Sequence, residues 1–159
     1  MATVIKPPTP LPPNPSQPSI FLAGSIEMDT AEKWQDRFAQ AFQASDVLLF
    51  NPRRDAWDTS WEQSAHNRFF REQVEWELAA QEQADIIAMY FDPQTKSPIT
   101  LLELGLFARS QKLIVCCPAG FWRKGNVDVV CERYGVEQVS TFSDLVERVR
   151  QRTISFENS

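Results

Sequence analysis

Short runs of apolar residues alternate along this chain with longer segments in which apolar positions recur every three or four residues, the pattern of buried strands separated by amphipathic helices. Residues 19–23, 47–50, 84–91, 112–117 and 137–139 read as five strands. Between the first two, Trp34, Phe38 and Phe42 repeat every four residues behind Asp29 or Thr30 as a cap. Asn67 can cap a helix over 68–84, where Phe70, Val74 and Leu78 form one row and Gln73, Glu77 and Gln81 a neighbouring one, flanked by Trp76, Ala80 and Ala84. A third helix spans 97–107, with Ser97 as cap and Pro98 in its first turn; its many apolar residues predict packing on almost all sides. Residues 118–128 read as a loop, a short helix follows through Tyr134, and Ser143 caps a last helix that turns Leu145, Val146 and Val149 inward. This alternation predicts an α/β fold: a doubly wound three-layer sandwich with a mainly parallel five-stranded sheet.

Residues 1–18 hold Pro7, Pro8, Pro10, Pro12, Pro13, Pro15 and Pro18 with few large apolar side chains, so they are expected to form a flexible, extended arm ahead of a single domain over 19–155. A length of 159 residues fits one domain, and a formal charge of −5 argues against nucleic acid or an anionic membrane as partner. Three cysteines, two of them the adjacent Cys116 and Cys117, make a disulfide framework a poor reading and point to a reducing cytoplasm. With His66 the only histidine and no Cys-x-x-Cys pair, a zinc centre or a histidine-activated nucleophile has little to be built from. Glycine-rich dinucleotide and triphosphate motifs are absent, and no cofactor or metal is expected. No apolar run is long enough to span a bilayer.

Candidate chemistry starts at Glu103, the one charge in 97–107. Either it is a solvated helix glutamate, or it points into a cleft at the carboxyl ends of the strands, where apolar surroundings raise its pKa and a helix amino end opposes them. Gly24 and Ser25 sit at a strand-to-helix turn, where a backbone can approach a ligand and a hydroxyl can donate to it. In the loop 51–58, Arg53 and Arg54 can grip a phosphate or carboxylate, Asp55 can fix a hydroxyl, and Trp57 offers a flat face to a base. The bland alternative is a surface ion-pair cluster. Glu77, at the border of a packed face, is placed where a second catalytic carboxylate could sit, or faces solvent.

A first strand ending Ala-Gly-Ser, the Asn-Pro-Arg-Arg loop, Trp-Glu-Leu before Ala-Asp-Ile-Ile, and Leu-Leu-Glu-Leu-Gly before a strand together resemble the nucleoside 2-deoxyribosyltransferase family over residues 19 to about 139. The resemblance implies a flavodoxin-like fold and transfer of a 2-deoxyribosyl group from a 2'-deoxynucleoside to a free purine or pyrimidine base. It makes Glu103 the nucleophile and Glu77 the acid, in place of a family aspartate. It makes Asn126 a residue lent to a neighbouring subunit's site, so that a homo-oligomer with a dimer as minimal active unit is implied, and puts Asp128 near a base-contacting position. Ser97 stands where the family has an aspartate for the sugar 5'-hydroxyl, and Phe21 near a family tyrosine. A neutral Ser97 could contact the hydroxyl or accept a phosphate. Hydrolysis of a nucleoside or its 5'-monophosphate, and ligand binding without chemistry, are the alternatives.

Overall fold

The computed structural model describes residues 1–26, 33–55 and 60–158. Its strands are β1 (Thr3–Ile5), β2 (Ser19–Gly24), β3 (Leu48–Phe50), β4 (Ile86–Tyr90), β5 (Leu113–Cys116) and β6 (Glu137–Val139); its helices are α1 (Trp34–Ala41), α2 (Arg68–Gln83), α3 (Pro98–Phe107), α4 (Lys124–Tyr134) and α5 (Phe142–Glu157). All strand pairs are parallel, in the order β1-β3-β2-β4-β5-β6. The central strands Ser-Ile-Phe-Leu-Ala-Gly, Ile-Ile-Ala-Met-Tyr and Leu-Ile-Val-Cys are buried on both faces almost throughout, which is why they read as unbroken apolar runs.

The direction of each crossover decides which face a helix covers. From β2 the chain moves one way to β3 through α1, then back across β2 to β4 through α2, and onward to β5 and β6 through α3 and α4. Right-handed connections therefore put α2, α3 and α4 on one face and α1 on the other. The two cores agree: one joins Phe21, Ala23, Met89 and Val115 to Trp76 and Ala80 of α2, Leu104 of α3 and Val127 of α4. The other joins Ile20, Leu22 and Ala88 to Trp34 and Phe38 of α1 and Leu145 and Val149 of α5. In that second core Phe38 stacks on Phe42 at 4.9 Å, and Trp34 meets Phe38 edge-on at 6.2 Å. Such ring pairs are each worth about 0.5–1.5 kcal/mol beyond their burial. Ser19 and Asp85 tie the starts of β2 and β4: Asp85 Oδ2 accepts from Ser19 N at 2.9 Å, and Ser19 Oγ accepts from Asp85 N at 3.1 Å.

Several expectations change. The sheet has six strands, because Thr3–Ile5 of the proline-rich arm pairs with Leu48–Phe50, and the rest of the arm is attached to α2: Thr9 O accepts from Trp76 Nε1 at 2.8 Å and Pro12 O from Gln83 Nε2 at 2.6 Å. An arm poor in apolar groups is held here through its backbone carbonyls, which no hydrophobic pattern announces. Asn67 caps α2 as expected, its Oδ1 accepting from the N–H groups of Phe69 and Phe70. Ser97 does not cap α3 with its side chain; it is left-handed (φ 47°) and its Oγ lies 2.6 Å from Thr95 Oγ1. Thr141, not Ser143, caps α5, its Oγ1 accepting from Asp144 N. Lastly, α3 does not pack on all sides, since Ile99, Leu102 and Leu106 are 59%, 58% and 56% exposed. Asp29 and Thr30 lie outside the described residues.

Among the described residues no helix is long and apolar enough to cross a membrane.

Candidate functional site

Strand order reverses direction between β2 and β4, so the connections that leave their carboxyl ends diverge and open a crevice there. Gly24 and Tyr90 are register partners at that end, and Ser25 follows, buried. The two helices that pack against β2 on the near face, α2 and α3, bring their polar residues together beside it.

Glu103 is 7% exposed, and its Oε2 accepts from Gln81 Nε2 at 2.7 Å. Gln81 is fully buried, and the same nitrogen donates to the carbonyl oxygen of Glu77 one turn earlier on α2 at 3.1 Å. Glu77 lies close enough to raise the Glu103 pKa by charge repulsion. Burial is the larger cause: it pushes Glu103 from 4.5 up to about 8, with Glu77 adding to the rise and the Gln81 hydrogen bond opposing it. Burial likewise lifts Glu77 to about 7, against a hydrogen bond from Gln73. Two carboxyls in one dry space cannot both ionise cheaply, so each is held towards its protonated form. The higher value falls on Glu103, the more deeply buried; a positive charge developing on a bound substrate beside it would move the proton towards Glu77.

Gln73 extends the row towards β3, its Nε2 donating to Pro52 O at 2.8 Å. There Asn51 Oδ1 accepts from Arg53 N at 3.0 Å, and Arg53 Nε donates to Gln35 Oε1 at 2.9 Å. Arg54 pairs with Glu72 at 2.9 Å and lies over the Trp61 ring. A buried polar strip thus runs from the end of β3 along α2 to Glu103.

The remaining expected site residues are distributed differently. Gly24 is adjacent to the crevice, but its bare α-carbon answers a packing need: an added Cβ would come within 2.5 Å of the Trp34 indole. Asp55 is an exposed partner of Lys6 at 3.1 Å. Ser97 is buried at the start of α3. Asn126 and Asp128 are helical, in α4, and not on a loop. Asp128 is held by Gln138 at 2.7 Å and by Lys124 at 3.1 Å, which keep its carboxyl below the usual range. Asn126 is exposed and lines a groove of about 300 Å³ between α3 and α4, with Leu101, Leu104 and Gly105 opposite; neither Glu77 nor Glu103 lines it. Trp57 lies outside the described residues. Gln81 was not singled out by sequence reading; its signal is the Gln73, Glu77, Gln81 row itself, three polar residues at four-residue spacing on a helix flank that also carries Trp76 and Ala80.

A family model described as nucleoside 2-deoxyribosyltransferase like matches residues 17–121, a span that includes Glu77, Gln81 and Glu103 and ends before Asn126. Among solved structures, a conserved protein from Enterococcus faecalis V583 matches with a TM-score of 0.61 at 14% identity, over 86% of this chain and 99% of that one. At that identity the likeness shows the fold alone. No curated protein matches.

Proposed function

Because this chain belongs to the nucleoside 2-deoxyribosyltransferase-like family, we propose that it cleaves the N-glycosidic bond of a 2'-deoxynucleoside and passes the deoxyribosyl group to a second purine or pyrimidine base. The observation that supports this reading is the placing of two carboxyl residues on adjacent helices, Glu103 on α3 and Glu77 on α2, joined through Gln81, whose Nε2 donates to Glu103 Oε2 at 2.7 Å and to Glu77 O at 3.1 Å, with burial raising both pKa values. Glycosyl transfer with retention needs two carboxyls in different states. Glu77 gives its proton to the departing base, while a Glu103 carboxylate oxygen attacks the anomeric carbon as the carbon–nitrogen bond breaks, leaving a glycosyl ester. The second base attacks that carbon from the vacated side, the ester bond breaks, and Glu77 takes up the proton the incoming nitrogen releases. Two displacements restore the β configuration, and the substituted enzyme predicts ping-pong kinetics.

Incubation with 2'-deoxyinosine and adenine, followed by chromatography, tests the reading. Deoxyadenosine that appears only when adenine is present supports transfer; hypoxanthine release with no new nucleoside replaces it with hydrolysis. The hydrolytic reading extends to a 5'-monophosphate, although the Ser97 and Thr95 hydroxyls at the amino end of α3 are buried and engaged with each other and with Asp92 O, and so do not favour it. Running the same assay with the monophosphate separates the two.

The exposed apolar residues Ile99, Leu102 and Leu106 on α3, beside a groove carrying exposed Asn126, support a homo-oligomer in which Asn126 serves a neighbouring copy's site. Light scattering that returns a monomer of 18.2 kDa in an active sample would overturn it.

A further inference from the structure

Among the described residues, few groups around Glu103 can hold its carboxyl. On the face shared by α2 and α3, β2 presents Phe21 and Ala23, whose side chains have no hydrogen-bond donor, and α3 itself carries no other charge. Across the groove, Lys124 and Asp128 of α4 are engaged with each other, and Arg123, just ahead of α4, lies over the Trp122 ring. From α2 the one charged group acting on Glu103 is Glu77. Among the described residues, the hydrogen bond to the Glu103 carboxyl comes from Gln81.

The orientation of that amide is determined by its other contact. Glu77 O is a backbone carbonyl and can only accept, so the Gln81 group 3.1 Å from it must be the amine and not the oxygen. The second N–H on the same nitrogen then points at Glu103 Oε2. A flipped amide would set two oxygens against each other at Glu77 and offer an acceptor to Glu103. The backbone at this turn is tethered too, because Lys112 Nζ, from the start of β5, donates to Gln81 O at 3.2 Å and Glu82 O at 2.6 Å. Gln81 Oε1, by contrast, is buried without a partner, a cost the fold tolerates in order to keep this orientation.

We propose that Gln81 is the positioning residue of the nucleophile: its amide, locked as a donor by the Glu77 carbonyl, holds Glu103 Oε2, orders the carboxylate for attack, and biases the shared proton towards Glu77. A donor that cannot turn into an acceptor favours the carboxyl oxygen that bears no proton. The proposal rests on Glu103 being the nucleophile of the transfer reaction.

The test compares the intact chain with Gln81→Met, which keeps the length of the side chain and removes its donors. A hydrogen bond to a charged group implies a fall in kcat of about 10- to 100-fold for 2'-deoxyinosine with adenine, with KM changed by less than about 3-fold. In parallel, chains labelled with ¹³C at the glutamate carboxyls, with the Glu103 signal identified by its absence in Glu103→Gln, are titrated. Glu103 is expected to titrate at higher pH in Gln81→Met than in the natural chain. An active natural enzyme whose Gln81→Met variant keeps its kcat, and whose Glu103 titrates unchanged, overturns the proposal. If the natural chain transfers nothing, the reaction reading fails, and an unshifted carboxyl titration still overturns the Gln81–Glu103 bias independently. Gln81→Leu, which also has no donor and adds no charge, supplies the same comparison should the Met variant not fold.

Discussion

Trp34 closes over Gly24 so tightly that a methyl group on the Gly24 α-carbon would lie 2.5 Å from both the Nε1 and Cζ2 atoms of the indole. The end of β2 is therefore shaped by the second core, on the face opposite Glu103. Gly24→Ala must push the indole out of a cluster that includes Phe38 and Tyr90, and overpacking of this kind costs about 1–3 kcal/mol. Urea unfolding should show that loss, and Trp34→Leu in the same chain should recover part of it. An unchanged unfolding midpoint for Gly24→Ala would mean that the glycine is not there for the indole.

The carboxyl pair makes stability depend on pH in an unusual direction. Both folded pKa values are raised, to about 7 and about 8 from 4.5, so between those limits the folded chain binds more protons than the unfolded one. Their contribution is undiminished below the unfolded value and is lost as pH rises through the folded ones. Glu103→Gln removes one buried charge and the repulsion on Glu77, while keeping an oxygen to accept from Gln81. At pH 8.5 the variant should be more stable than the natural chain by on the order of 3 kcal/mol, with the difference vanishing near pH 4.5. A difference that does not change with pH would contradict a buried, coupled pair.

In the proposed reaction Glu77 holds a proton for the leaving base, and burial raises its pKa to about 7, so transfer is expected to fall off above about pH 7. Glu77→Gln, which cannot give up a proton, should lose about 100-fold or more in kcat and flatten that alkaline limb. A limb of the same shape in the variant assigns the titration to another group.

The arm is testable as part of the fold. Removal of residues 1–12 takes away β1, the packing of Leu11, and the acceptors of Trp76 Nε1 and Gln83 Nε2. A drop in Tm of several degrees is expected, at about 2–4 °C per kcal/mol for a chain of this size. Lys6→Ala alone should change stability by less than about 0.5 kcal/mol, because its partner Asp55 is 82% exposed. An arm deletion that melts like the full chain would show these contacts to be idle.

Much of this protein is settled by local chemistry. Parallel strands buried on both faces must be apolar throughout, so β2, β4 and β5 announce themselves, and Asn67 caps α2 because its side chain bonds within its own turn. The lone acid in an apolar helix, Glu103, and the polar row of Gln73, Glu77 and Gln81 are visible for the same reason: both stand out against the period of a single helix. Which of these meet was decided by the crossovers. A right-handed return across β2 sets α2 beside α3, and so Gln81 within 2.7 Å of Glu103, 22 positions along the chain. Thr3–Ile5 becomes a strand because β3 has a free edge, and the Ser97 hydroxyl meets that of Thr95 where the backbone at Ser97 turns left-handed ahead of α3. Asp55 faces Lys6 because the arm returns past its loop. Local pattern determined the elements and the unusual residues in them; partners distant in the chain became neighbours only through packing, since a hydrogen bond needs a distance that no spacing along a single element encodes.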